Sequence, residues 1–220
     1  MDDVTDTPNL RTDPAASELV AACETVWTSI QARHPGLPPV VMLLGTGIER
    51  GRLVKLGHWW GGRWLADGDV RGEVLLAGEA LHLDATDVFE VLLHEAAHGI
   101  NAARGVKDTS RGGRYHNARF KQTALEVGLD VATQEPYGFA ATSVPEVTAK
   151  RYQREIDLLG VAMRIARRIP PNALQSNTVG NGTGQVPGTT QRGAGEKQRP
   201  KVPPAECGCG RWLRMAPSVL

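Results

Sequence analysis

The alternation of apolar and polar positions divides the chain into a small set of elements. From Asp84 to Gly105 the apolar residues Phe89, Leu92, Leu93, Ala96, Ile100 and Ala103 recur at helical spacing, which predicts one amphipathic helix with that face toward a core. Asp84 with Asp87 three positions later resembles a capping box, and Gly105 is a natural stop. A first helix is predicted from Asp13-Pro14 to about Ala32, with Leu19, Ala22, Val26 and Ile30 inward. Short apolar runs at Pro39 to Leu44, Leu56 to Leu65 and Glu73 to Leu76, broken by glycines, read as strands of a small antiparallel sheet. After a glycine-bearing loop, His116 is expected to open a helix through Phe120, Ala124 and Val127, ended by Gly128. A last helix is expected from Pro145 to Arg168 through Val147, Tyr152, Ile156, Leu159 and Met163, with Pro170-Pro171 beyond it.

The pattern stops there. Residues 169–204 are rich in Gly, Pro, Ser, Thr, Asn and Gln, as in a flexible linker, and residues 1–14 read as a disordered lead-in. The predicted fold class is therefore α+β, a small sheet packed on helices over residues 15–168, followed by the linker and a short tail at 205–220.

Composition changes this picture little. The chain has 220 residues and a formal net charge of +1, so its overall field favours neither nucleic acid nor any other charged partner. No apolar run is long enough to span a bilayer, and the polar, acidic N-terminus does not read as a secretion signal. Three cysteines do not make a disulfide framework, and Cys23 falls on the apolar face of the first helix as a small hydrophobe. The expectation is a cytoplasmic protein without a membrane partner.

The candidate chemistry lies in the predicted helix at His94-Glu95-Ala96-Ala97-His98. Residues four apart lie one above the other on a helix, so both imidazoles can bind one metal ion. Glu95 is rotated off that stripe but stays beside it, where a carboxylate can serve as a general base without being a ligand. A surface helix with two solvated histidines is the plain alternative.

A catalytic zinc site needs a third protein ligand. His34 falls at a helix end, where solvated histidines are common. His58 and His82 lie before the motif helix and stay open as ligands. His116 is better placed, because it follows a glycine turn and leads an element that must pack back on the motif helix. Six residues after His98 stands Arg104, which excludes the arrangement with a third histidine at that spacing. Glu126, Glu135 and Glu146 keep a glutamate ligand open.

The blocks Val91 to His98, Lys107 to Asn117, Phe120-Lys121 and Gly128-Leu129 together resemble the SprT-like metallopeptidases, with Gly57-His58-Trp59, Arg63-Trp64, Glu73 to Leu76 and Gly138 to Thr142 in support. The resemblance covers roughly residues 15–168. It implies a zincin-like active-site helix and one catalytic Zn2+ held by His94, His98 and His116. It further implies peptide-bond hydrolysis of protein substrates with Glu95 as general base, and Tyr115 or Arg114 as an additional transition-state donor. Trp59, Trp60 and Trp64 would lie on a strand along which an extended peptide can add. Some members of the family act on proteins attached to DNA, so association with DNA is implied by the resemblance alone. Cys207 and Cys209 resemble the first knuckle of a zinc ribbon whose second cysteine pair this sequence lacks. Two thiolates supply half the ligands a structural site needs. Two other classes stay open: a non-catalytic zinc-binding scaffold, and a regulatory protease of one partner such as a repressor.

Overall fold

A computed structural model describes residues 13–49 and 53–168, together with residues 205–206 and 212–213. The chain separates into two units, 1–180 and 181–220. Residues 1–12 of the expected lead-in, the whole of the expected linker, and Cys207 and Cys209 lie outside the described residues. In the second unit, Ala205–Glu206 pairs antiparallel with Trp212–Leu213.

The first unit has mixed α and β structure. Helix α1 spans Ala15–Arg33 and buries Leu19, Ala22, Val26 and Ile30, the four positions its periodicity selects. Cys23 is buried beside them, and burial pushes its thiol up to about 12, which leaves it inert as a nucleophile. Strands β1 (Val40–Gly45), β4 (Gly57–Ala66) and β5 (Asp69–Ala77) form one sheet in the order β1-β5-β4, with the short ladder β2 (Ile48–Glu49) and β3 (Leu53–Val54) in the connection from β1 to β4. This sheet is not purely antiparallel. β4 and β5 form a hairpin, but β1 runs parallel to β5, with Val40 opposite Gly72 and Gly45 opposite Ala77. The connection after β1 crosses the end of β5, which leaves the central place to the strand with the most buried apolar run, Val74, Leu76 and Ala77. β4 is the edge.

Helix α2 (Ala85–Ala103) packs across this sheet. Asp84 caps it, its carboxylate accepting from the Asp87 N–H at 2.9 Å. Phe89, Leu92, Leu93, Ala96 and Ile100 are buried as the pattern predicts, whereas Ala103 at the last turn is exposed. Val91 and Asn101, off that stripe, are also buried: Val91 lies against the start of β4 at Gly57, Asn101 bonds Asp108 and Thr123, and a second sheet also contacts α2.

That second sheet comprises β6 (Thr109–Ser110), β7 (Tyr115–His116), β8 (Asp130–Gln134) and β9 (Gly138–Ser143) in the order β6-β7-β9-β8. His116 therefore ends a strand and does not open a helix. Helix α3 (Ala118–Glu126) starts after Asn117, whose side chain accepts from the Arg119 and Phe120 amides. The expected last helix also breaks, into α4 (Glu146–Arg151) and α5 (Gln153–Ala162). At the break Tyr152 is buried against Phe89, ring centroids 4.9 Å apart, while Thr148 donates to the Gly128 carbonyl at 2.7 Å. Val147 is exposed. Beyond Ala162 the chain leaves the helix because it is bound elsewhere: the Arg167 N–H donates to the Gly78 carbonyl at 2.9 Å, and its guanidinium meets the buried Glu79 carboxylate at 3.1 Å. Among the described residues no helix is long and apolar enough to cross a membrane.

Candidate metal centre

The sequence brings its histidines together from two elements. His94 and His98 lie one turn apart on α2, and His116 ends β7. The His116 Nε2 is 3.2 Å from His94 Nε2 and 3.2 Å from His98 Nε2. Four ligands placed tetrahedrally around zinc at about 2.0–2.1 Å would have nitrogens about 3.3 Å apart. His94, His98 and His116 are the one group among the described residues whose His, Cys, Asp or Glu ligand atoms cluster closely enough to hold a metal ion.

The partners of the other ring nitrogens sharpen this. His98 Nδ1 is 2.8 Å from Asp108 Oδ2. A carboxylate only accepts, so the proton is on Nδ1 and the Nε2 lone pair points inward. Asp108 also accepts from Asn101 Nδ2 at 3.1 Å, and Asn101 Oδ1 accepts from the Thr123 hydroxyl at 2.8 Å. His94 Nδ1 is 3.1 Å from the Thr142 hydroxyl, which donates to Glu90 in a short contact, so that Nε2 also turns a lone pair inward. Three close ring nitrogens, at least two carrying lone pairs, repel one another unless a cation lies between them. The donor set therefore fits a metal that prefers neutral imidazoles in a compact site, and zinc is the common choice. Phe120 from α3 forms the floor, its ring centroid 4.6 Å from each of the three imidazoles.

His116 is held by its backbone. Its N–H donates to the Tyr137 carbonyl at 2.9 Å, it pairs with Thr109 and Gly138, and the Asn117 N–H donates to the Asp108 carbonyl at 3.0 Å. Gly138 has φ +72, and a β-carbon there would stand 2.2 Å from the His116 carbonyl oxygen. Only glycine lets β9 approach the ligand strand so closely.

Charge follows burial and neighbours. Burial drives the His94 ring well below its ordinary value, and the neighbouring His98 and His116 add to this. Burial and the nearby His98 lower His116 to about 4. Burial also opposes charge on His98, but the Asp108 hydrogen bond and the Glu95 and Asp108 carboxylates outweigh it and hold that ring above its usual value. A metal held by the three rings would have to displace the His98 proton as the solution becomes mildly acidic. Burial would raise Asp108, yet its bonds to His98 and Asn101 keep the carboxyl below the ordinary range.

Glu95 is buried, and burial lifts its carboxyl above the usual range against the pull of His98, His58, a hydrogen bond from the Trp59 backbone, and Lys55. It lies against β4: a β-carbon on Gly57 would be 3.4 Å from Glu95 Oε1 and 2.7 Å from Val91 Cγ1.

The other candidates are placed elsewhere. His58 bonds Glu73 at 2.9 Å on the outer face of β4, His82 meets the Arg167 carbonyl at 2.8 Å, and His34 caps α1. Glu126 pairs with Arg104, Glu146 pairs with Lys150, and Glu135 lies in the exposed turn between β8 and β9. Tyr115 and Arg114 precede the ligand, but adjacent strand residues face opposite sides. Tyr115 accordingly packs on Gly138 and under the Arg111 guanidinium, 4.7 Å from its ring centroid, and the structure does not bring it to the triad. Arg114 is exposed at the hairpin tip. Trp59 is half-buried and stacks on Trp27 at 6.3 Å, while Trp60 and Trp64 are exposed.

Asp108, Asn101, Thr142, Glu90 and the Phe120 floor carry parts of the site that the sequence reading did not assign. Asp108 had one usable signal, a carboxylate ten residues past a metal-type histidine in a short connection to the next one. Asp108→Asn removes the charge that orients His98, and zinc affinity is expected to fall about 10- to 100-fold with the fold retained. Competition with a fluorescent chelator measures it, and unchanged affinity would remove Asp108 from the support of the site.

Comparison with family models, with curated proteins and with solved structures finds no match.

Proposed function

We propose that this chain is a zinc metallopeptidase of the SprT-like kind, hydrolysing peptide bonds of protein substrates. One observation carries the reading: the His116 Nε2 lies 3.2 Å from the Nε2 of both His94 and His98, and a buried glutamate with a raised pKa sits on the same helical turn. A structural zinc site has no use for that carboxylate beside an open position.

His94, His98 and His116 would hold the ion. When bound, zinc supplies a Lewis acid that brings a water's pKa toward neutrality and polarises a carbonyl. The protein's own residues do the rest. Glu95 takes a proton from the attacking water and returns it to the leaving amine, a task suited to a carboxyl lifted toward neutral pH. Asp108 and Thr142 fix the His98 and His94 tautomers, so neither ring drifts into a competing hydrogen bond. Gly57 keeps the start of β4 against Glu95. As an edge strand of its sheet, β4 is a place where an extended peptide can add beside that base.

The test is proteolysis of an unfolded protein by the purified full-length chain, apo and zinc-loaded, with new amino termini identified by mass spectrometry. Cleavage by the zinc form alone supports the reading. No cleavage of any unfolded substrate at full zinc occupancy contradicts it.

A further inference from the structure

Resting on that peptidase reading, we propose that the hairpin carrying His116 selects acidic peptides, with Arg111 and Arg114 at its tip receiving the substrate carboxylates.

The catalytic face of α2 is flanked by two elements. β4 touches Glu95 through Gly57, and the β6–β7 hairpin brings His116 to His94 and His98. Thr109 pairs with His116 and Ser110 with Tyr115, so the tip, residues 111–114, begins just beyond Tyr115. Arg114 precedes His116 by two residues and lies exposed in the tip turn, just before β7. Arg111 is the other exposed tip cation, resting its guanidinium on Tyr115.

The charges here are unbalanced. Between Arg104 and Lys121 the chain carries Arg104, Lys107, Arg111, Arg114, Arg119 and Lys121 against the single acid Asp108. Asp108 is spent on His98 and Asn101. The other carboxylates near the site are also occupied: Glu73 by His58 and Trp64, Glu90 by Thr142, Glu126 by Arg104. Among the described residues, no carboxylate pairs with Arg111 or Arg114. In a chain whose net charge is +1, the surplus positive charge beside the triad is local. A hairpin tip whose guanidinium groups meet no carboxylate of their own attracts carboxylates and repels lysine and arginine side chains.

The experiment uses the zinc-loaded full-length Glu95→Gln chain, so that peptides bind without being cut. Three labelled peptides differ only in a Glu-Glu, Gln-Gln or Lys-Lys pair beside a common apolar centre, and fluorescence anisotropy gives their Kd values. The Glu-Glu peptide is expected to bind about five- to tenfold more tightly than Lys-Lys, with the difference flattened at about 1 M salt, where the Debye length is about 3 Å. Adding Arg111→Gln and Arg114→Gln should bring the three together, and Arg111→Glu with Arg114→Glu should invert the order, at unchanged zinc content and melting temperature. Equal binding of the three peptides, binding of none, or an acid preference that survives charge reversal would overturn the proposal. Turnover of the same peptides by the unmodified chain separates the two readings. Cleavage without charge preference sinks the selectivity and leaves the peptidase, whereas selective binding without cleavage does the reverse.

Discussion

Glu95→Gln is expected to reduce peptide hydrolysis by about 100- to 10,000-fold while the chain still binds one zinc. The amide has nearly the same shape, so it can keep the packing against Gly57 and the hydrogen bond from the Trp59 backbone. It cannot take a proton. The loss should therefore appear in kcat more than in KM, because the residue acts on the reacting proton and not on the rest of the substrate. Steady-state kinetics on a peptide that the parent cleaves, beside metal analysis of both proteins, reads both quantities. Hydrolysis at the parent's rate would defeat the role given to Glu95.

His116→Ala is expected to weaken zinc binding by more than the roughly 100-fold that loss of a supporting partner costs. It removes one of three direct ligands, and the remaining pair on α2 cannot close the site. The fold should survive, since the backbone at residue 116 keeps its bond to the Tyr137 carbonyl and its pairing with Thr109 and Gly138. Circular dichroism with a competitive zinc titration checks the two parts. Undiminished affinity would take His116 out of the site.

The fold was most legible where periodicity was long and unbroken. Helices α1 and α2 follow their apolar spacing, and Asp84 caps α2 as the pattern suggests, because propensity, capping and burial agree there. The parallel pairing of β1 with β5 was not legible. Which strand takes the middle of a sheet depends on how the 46–56 connection crosses it, and local pattern carries no such information. The second sheet was missed for a different reason. Its strands are short and polar, and β7 has only two residues, fixed by partners in other elements. Asn117 was a readable helix-start signal, and it would have corrected the expected start at His116. The last helix overran because Tyr152 and Arg167 answer to tertiary partners, Phe89 and Glu79, that sequence spacing does not show.

At the site, the spacing of His94, Glu95 and His98 on one helix was fully present in the sequence. The position of His116 was inferred, and the structure places its nitrogen beside the other two. The supporting shell could not be read in the same way. Asp108, Asn101, Thr142 and Glu90 come from three separate elements and meet only after the second sheet closes over α2. The same alternation that turns His116 inward places Tyr115 on the other side of β7, against Gly138 and Arg111.

The central claim is that one zinc, held by His94, His98 and His116, makes this chain a peptidase. Titrating zinc into the apo full-length protein while following the rate of peptide hydrolysis tests it most directly. The rate should rise in proportion to added zinc and break at one equivalent per chain, and excess chelator should abolish it. Occupancy of one zinc per chain with no hydrolysis at any point would contradict the claim and leave a zinc-binding scaffold in its place.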